Sequence, residues 1–185
     1  MTPGSRFAVV LLPVLLAVPV GAAAPEVAHA SPAAQCRRTL PHYPVLSPGD
    51  RRPAVRTLQC AINDLGLGPV DVDGYYGPQT KAALSRIVRN FEGDPPHPFR
   101  ITRGFWTLLY GAQLPDRTLS QGDSGHAVTV LQRALRAAGY EVTVDGDFGP
   151  ETKRVVAAFQ ADHGTTATGK VDEGTRFLLA TGGYA

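Results

Sequence analysis

A tetrapeptide in the second half of the chain has the residue order that surrounds a nucleophilic serine in one class of proteases. It is Gly122-Asp123-Ser124-Gly125. A serine becomes a nucleophile only when the fold places a histidine and an acid beside it, so a tetrapeptide alone is weak evidence. This stretch leads into an apolar pattern with a helical period, and the parallel stretch 49–52 contains no serine. We therefore predict no catalytic residue here.

Acidic residues and histidines are also present, but their spacing fits no known metal site. A calcium loop that started at Asp71 would need oxygen ligands where Tyr75 and Ala82 stand. Catalytic zinc requires closely spaced histidines, whereas those after residue 30 are scattered: His42, His97, His126 and His163. We predict no metal site and no cofactor. A pair of carboxylates for glycoside hydrolysis is left open.

The strongest pattern in the chain is a ten-residue phrase that occurs twice, as VDGYYGPQTK at 72–81 and VDGDFGPETK at 144–153. Each phrase predicts a tight corner that leads into a helix. Both glycines adopt backbone angles that other residues avoid, the aromatic residue folds inward, and proline begins the helix. The aspartate accepts hydrogen bonds from the turn, and the threonine bonds back from the helix. The predicted corner residues are Asp73, Gly74, Tyr76, Gly77, Pro78 and Thr80 in the first copy, and Asp145, Gly146, Phe148, Gly149, Pro150 and Thr152 in the second.

The repetition extends well beyond this phrase. Residues 46–66 align with 119–139 without a gap, and residues 101–109 align with 171–179. We therefore predict two tandem repeats, at 46–112 and 119–185, joined by a linker at 113–118. If the halves are copies, their corners must have like surroundings, and we expect each half to have its own apolar core.

Each repeat is predicted to form three helices, which makes the protein mainly all-α with long loops. Apolar residues between Val55 and Leu65 are spaced as one face of a helix, and the same stripe recurs between Val128 and Ala138. The second helix of each repeat is predicted to begin at Pro78 or Pro150. The third helix is short in both.

Polar residues mark several further positions. Thr102 and Asp172 are the expected N-caps of the third helices. Gln59 and Gln132 lie on the inward side of the first helices, where a polar side chain must find partners. Each glutamine is either a buried amide that holds the Asp-Gly turn, which we favour, or an amide that lines a groove. A small two-stranded flap is also expected at 142–144.

The N-terminus has the layout of a secretory signal peptide. Arg6 precedes an apolar run at 7–20, which is too short to cross a bilayer comfortably, and small residues follow. We predict a signal peptide at 1–30 with cleavage after Ala30, although Ala24 is an alternative. An uncleaved N-terminal anchor is the other interpretation.

Export affects how the two cysteines are interpreted. Outside the cytosol, Cys36 and Cys60 are expected to form a disulfide that ties an N-terminal lead-in, 31–45, to the first repeat. In the chain-entropy model, a disulfide that closes the loop between these two cysteines stabilises the folded protein by roughly 3 kcal/mol. Two separate buried thiols are the alternative.

The charge of the chain argues against nucleic-acid binding. The formal net charge is +2, whereas nucleic-acid binding usually requires a clustered basic face. After signal cleavage we expect no association with a membrane, and we expect a monomer.

The repeated residues resemble the peptidoglycan-binding-like domain family, a three-helix module. Most of the family pattern is present in the second repeat, from Gly122-Asp123 through Leu131-Gln132 and the corner to Phe159-Gln160. The first repeat departs from it after Leu84, where Ile87-Val88 replaces Phe-Gln and a proline-rich loop at 92–100 replaces a short connection.

The resemblance implies non-covalent binding to the glycan or the stem peptide of bacterial peptidoglycan. Such a site requires aromatic faces and a few polar partners. The candidate ligand-binding residues beside the corners are Asp73, Tyr75, Tyr140, Asp145 and Asp147. We therefore expect an exported, non-catalytic protein associated with the cell wall. The alternatives are a cell-wall hydrolase that uses these modules and a secreted protein–protein interaction module.

Overall fold

A computed structural model describes residues 36–89 and 98–183. The predicted signal peptide, the start of the lead-in and most of the proline-rich loop lie outside these residues. The described part contains helices and no strand, which confirms the all-α class. In residues 36–89 and 98–183 no helix has both the length and the apolar character that a bilayer span requires. The helices are α1 (Pro53–Asp64), α2 (Pro78–Val88), α3 (Arg103–Gly111), α4 (His126–Ala137), α5 (Pro150–Asp162) and α6 (Glu173–Ala180).

The helix boundaries follow from the residues that begin and end them. Proline occupies the first turn of α1, α2 and α5, where its missing N–H is not needed. Thr102 and Asp172 cap α3 and α6 by accepting from the N–H groups of Phe105 and Thr175, as predicted. The left-handed residue after α1 is Gly66, with a φ of 70°.

The flap expected at 142–144 is not formed. The backbone of this segment is satisfied by side chains instead: Val142 O accepts from the Arg136 guanidinium, and Thr143 N donates to Glu151 Oε2 over 3.3 Å. No second strand is needed to pair with it. The extended pairing in the described residues consists of isolated bridges at equivalent places in the two repeats, Leu46–Ile101 with Leu119–Val171, and Arg51–Tyr75 with Ser124–Asp147.

Helix α3 joins the two repeats. It packs on α1 within its own repeat and also on α4 and α6 of the second repeat. Trp106, Leu109 and Tyr110 are fully or almost fully buried, and the apolar cluster to which they belong runs through both repeats. The expectation of a separate core in each repeat was therefore wrong, because α3 has apolar residues on more than one face.

The lead-in also contributes to the packing around α3, where the two repeats meet. The disulfide between Cys36 and Cys60 is formed, as predicted, and attaches the lead-in to α1. Tyr110 Oη donates to Arg38 O over 2.7 Å, and Trp106 Nε1 donates to Pro44 O over 2.8 Å. Residues 36–45 thus lie along α1 and α3.

The lead-in also reaches the second repeat. Arg133 Nε, on α4, donates to Thr39 Oγ1 over 3.0 Å. The same short segment therefore contacts both repeats, and the junction is held by side-chain hydrogen bonds as well as by apolar packing.

Helices α3 and α6 approach each other closely at a glycine, which supplies a test of the junction. A Cβ atom added to Gly111 would overlap the backbone carbonyl of Leu179. We expect Gly111→Ala to lower the free energy of unfolding by about 1–3 kcal/mol, because a backbone cannot move aside as a side chain can. Chemical denaturation followed by circular dichroism measures this change.

Gly174→Ala is the matched control. Gly174 is an exposed residue of α6, and its added Cβ would meet only Asp172 Oδ1, at 3.8 Å. The free energy of unfolding of the Gly174→Ala variant should be unchanged or slightly higher. Equal effects of the two substitutions would contradict the close α3–α6 packing.

Candidate functional site

The corner of the first repeat is organised by a buried amide. Gln59 is 1% exposed. Its Nε2 donates to Asp73 Oδ1 over 2.6 Å and to Tyr75 O over 3.1 Å, and Thr80 Oγ1 lies 3.3 Å away. Its Oε1 accepts from Gly74 N over 2.9 Å. The interpretation of Gln59 as a turn-holding amide agrees with these contacts.

The corner of the second repeat has the same contacts. Gln132 is fully buried. Its Nε2 donates to Asp145 Oδ1 over 2.7 Å and to Asp147 O over 3.0 Å, and it lies 3.1 Å from Thr152 Oγ1. Its Oε1 accepts from Gly146 N over 2.8 Å. The two corners therefore have like surroundings, as duplication requires.

The stretch at 168–175 also fits the family pattern, but the sequence analysis did not predict that it forms a third corner of this kind. Gln160 Nε2 donates to Lys170 O over 2.8 Å and contacts Thr168 Oγ1 and Thr175 Oγ1, and its Oε1 accepts from Gly169 N. The signal was present, since TGKVDEGT at 168–175 has the spacing of DGDFGPET at 145–152. Threonine in place of the aspartate concealed it.

The glycines of the corner do not share one role. Gly74 and Gly146 have φ angles of 80° and 83°, which other residues rarely adopt, as predicted. The same prediction for Gly77 and Gly149 was wrong, because both have extended backbone, with φ of −92° and −83°. At Gly77 the constraint is steric, since an added Cβ would lie 2.6 Å from the Tyr75 ring. Nothing in the structure explains the glycine at 149.

The other predictions for the corners concern the aromatic residues that fold inward and the prolines that begin the next helices. Tyr76 and Phe148 are buried, and Pro78 and Pro150 begin α2 and α5. These residues hold the corner against the core and leave its aspartates outside.

The aspartates of the corners present one oxygen to the protein and one to solvent. Asp73 and Asp145 are exposed, and Oδ1 of each accepts both from a glutamine and from a backbone N–H two residues on. The N–H of Asp147, followed by the Gln132 amide, holds the pKa of Asp145 below its ordinary value of 3.8. Within the described residues Oδ2 of neither aspartate has a hydrogen-bond partner.

The other candidate residues differ from one another in their surroundings. Tyr75 is half-buried, with the Arg51 guanidinium 3.7 Å from the centre of its ring. Asp147, at the equivalent position, is exposed. Tyr140 is also half-buried, and its hydroxyl donates to Asp162 Oδ2 over 2.6 Å. Burial, reinforced by that hydrogen bond, raises the pKa of Tyr140 above its ordinary value.

A cleft of about 610 Å³ lies where the two repeats meet the lead-in, and we call it the junction cleft. The lead-in, the first residue of α3, the end of α4 and the start of α5 all contribute to it. Among the five candidate ligand-binding residues it contains Tyr140 alone. The aromatic and charged side chains that line it, together with one imidazole, are His42, Tyr43, Arg103, Arg136, Tyr140, Glu141 and Glu151.

A second cavity of about 620 Å³ lies beside Arg38, Asp64 and Arg133, but its charges are already engaged. Arg38 pairs with Asp64 through two hydrogen bonds, of 2.6 and 2.7 Å, and Arg133 bonds to Thr39. The junction cleft is therefore the better candidate site.

The residues first considered for catalysis or metal binding do not form one group, since His42 lines the junction cleft and His126 lines the second cavity. Ser124 pairs through its backbone with Asp147 at the second corner. Within 36–89 and 98–183, no three His, Cys, Asp or Glu side chains are grouped so that they could hold a metal ion.

Two tandem helical modules, each with an amide-held corner, define a class of small modular proteins. The profile of the family described as "Putative peptidoglycan binding domain" matches residues 51–91 and 124–179, which is more than half of the chain. The chain belongs to this peptidoglycan-binding domain family. No solved structure gives a significant match.

Two curated relatives are similar to parts of the chain. A zinc D-Ala-D-Ala carboxypeptidase from Streptomyces albus G is 47% identical over 120 residues, which cover 62% of this chain and 39% of that enzyme. An uncharacterized protein in the bpoA1 3′ region of Kitasatospora aureofaciens is 38% identical over 85 residues, covering 44% of this chain and 72% of that protein. The chain thus spans about two-fifths of the carboxypeptidase.

The buried amide predicts a large effect of a substitution that keeps its shape. Gln132→Met removes the hydrogen bonds to the corner and leaves the buried Gly146 N–H without a partner. We expect a loss of about 2–4 kcal/mol in the free energy of unfolding, measured by urea denaturation. Gln113→Met is the control, since Gln113 makes a single side-chain hydrogen bond, to Leu109 O, and should cost about 1 kcal/mol or less. Equal losses in the free energy of unfolding for Gln132→Met and Gln113→Met would contradict the role of the Gln132 amide in holding the corner.

The lowered pKa of Asp145 predicts a dependence of stability on pH. A carboxyl group whose folded-state pKa is depressed contributes stability above its ordinary pKa of 3.8 and loses it as the pH falls through the folded value. The urea midpoint should therefore fall between about pH 5 and about pH 2, and it should fall less in Asp145→Asn. An equal fall in both proteins would contradict this role of the carboxylate.

Proposed function

We propose that this protein is an exported, non-catalytic protein that binds peptidoglycan and remains with the bacterial cell wall. The observation that carries the proposal is the family match in both repeats, at 51–91 and 124–179. The apolar run at 7–20 after Arg6 supports export. The protein acts as a monomer and uses neither a cofactor nor nucleic acid.

The predicted ligand residues fit this function to different degrees. Asp73 and Asp145 each expose a carboxylate oxygen that is already oriented by the corner, and Asp147 lies beside the second of them. Tyr75 presents a ring that Arg51 covers on one face. Each repeat thus contributes one corner with candidate ligand residues. Two weak contacts on one polymer raise the apparent affinity well above that of either alone.

A wall hydrolase is the second candidate, and the similarity to the zinc D-Ala-D-Ala carboxypeptidase favours it. By its name, that relative is a zinc enzyme that acts on D-Ala-D-Ala. Because the match covers 39% of the enzyme, we infer that the shared segment serves attachment to peptidoglycan rather than cleavage.

Retention on purified, protein-free peptidoglycan sacculi tests the proposal directly. We expect the full-length protein to sediment with sacculi at about 0.15 M salt, where exposed charge–charge attraction is largely screened. It should stay in solution when mixed with cellulose, which is an insoluble glycan without peptides.

The remaining outcomes separate the three candidates. Release of soluble fragments from the sacculi would support the hydrolase. Failure to sediment would exclude wall binding and favour the protein–protein interaction module. Sedimentation without release of fragments supports the non-catalytic wall-binding protein.

A further inference from the structure

We propose that the junction cleft binds the peptide part of the wall polymer, as a short segment that carries a free carboxylate and an amine, with Arg103 as the partner of the carboxylate. The inference rests on the proposed function and names the portion of peptidoglycan that is bound. It also places a main binding site between the repeats, which the sequence analysis did not foresee.

The charges in the cleft are the first argument. Arg103, Arg136, Glu141 and Glu151 all line it. The ion pairs of the described residues join other side chains, namely Arg38–Asp64, Arg52–Asp50, Arg117–Asp123 and Arg176–Asp116. Charges of both signs therefore face one cleft without neutralising one another.

Arg103 stands out among these side chains. Arg136 donates to Val142 O, and Glu151 accepts from Thr143 N. In the described part of the chain, the guanidinium of Arg103 has no hydrogen bond and no ion pair, and the same is true of the Glu141 carboxylate. A planar guanidinium with free N–H groups is well suited to bind a carboxylate through two hydrogen bonds.

The position of Arg103 is set by a glycine of the other repeat. Arg103 is the first residue of α3, and its guanidinium lies over Gly139, just after α4. A Cβ atom at Gly139 would lie 2.9 Å from Cζ and Nη1 of Arg103. The equivalent residue of the second repeat is Glu173, so the first repeat alone supplies this arginine.

Two tyrosine rings form rigid walls of the cleft. Tyr43 packs against Trp106 and Tyr110, with ring centres 5.2 and 5.6 Å apart. Tyr140 packs edge-on against Phe159 and is held by its hydrogen bond to Asp162. Because these rings are already fixed, a ligand does not have to immobilise them when it binds.

This combination favours a peptide over a neutral glycan. A neutral sugar would cover unpaired guanidinium and carboxylate groups without neutralising them, and desolvating such groups is costly. A peptide with a free carboxylate and an amine can pair with Arg103 at one end and with Glu141 at the other. Stem peptides of the wall have this chemistry.

Calorimetric titration of the full-length protein with stem peptides, released from sacculi by an amidase, tests the inference. Arg103→Ala should weaken binding about tenfold, the effect of one lost charge-assisted contact. Arg103→Lys keeps the positive charge but lacks the planar pair of N–H groups, so it should weaken binding less.

Arg154→Ala is the matched control, because Arg154 is an exposed arginine of α5 outside the cleft. Stem peptides with amidated carboxyl groups should bind the unmodified protein as poorly as native peptides bind Arg103→Ala.

Each result bears on a single claim. Thermal melts should be similar for all variants, because the Arg103 guanidinium makes no hydrogen bond and no ion pair within the described residues, and this measurement separates loss of binding from loss of folding. Unchanged peptide affinity in Arg103→Ala would overturn the inference. So would tight binding of peptide-free glycan strands without binding of stem peptides, and the proposed wall-binding function would then survive. Binding of stem peptides without retention on intact sacculi would support the cleft and overturn the proposed function.

Discussion

The structure depends on a buried glutamine amide that saturates the backbone of a tight turn. Gln59, Gln132 and Gln160 each use both the N–H and the carbonyl end of the amide to hold a Gly-containing corner. A small helical module has little apolar area with which to position its loops. A buried polar group with all partners satisfied therefore defines the geometry more sharply than packing would, and each missing partner carries a large cost.

Helix α3 turns two modules into one unit. Its apolar residues pack in both directions, and Gly111 lets it approach α6 closely. The lead-in, attached through Cys36–Cys60, contacts α1, α3 and α4 and fixes the same junction from outside. The junction cleft results from this arrangement, since its walls come from all three parts of the chain.

The two repeats have diverged in complementary ways. The second keeps two amide-held corners, at Gln132 and Gln160. In the first, Val88 stands where Gln160 would be, while Arg103 stands where the second repeat has Glu173. The first repeat thus lacks the glutamine of one stabilising corner and contributes a cation to the shared cleft. Duplication followed by loss and gain at matching positions accounts for both differences.

The residues along the chain were sufficient to predict the local features: the helices, their proline starts, the caps at Thr102 and Asp172, the corners and the disulfide. Each depends on residues close together in the chain or, for Cys36 and Cys60, on a single possible pairing. The flap at 142–144 was predicted wrongly because the side chains of Arg136 and Glu151 satisfy the backbone of that segment. The backbone angles of Gly77 and Gly149 were also predicted wrongly, and at Gly77 the neighbouring Tyr75 ring, not a positive φ, leaves no room for a side chain. Two features follow from the packing of distant helices and could not be predicted: the repeats share a core, and Arg103 lies over Gly139. The spacing of residues within one helix indicates which face is buried but not which distant helix will cover it, and the junction cleft depends on that choice.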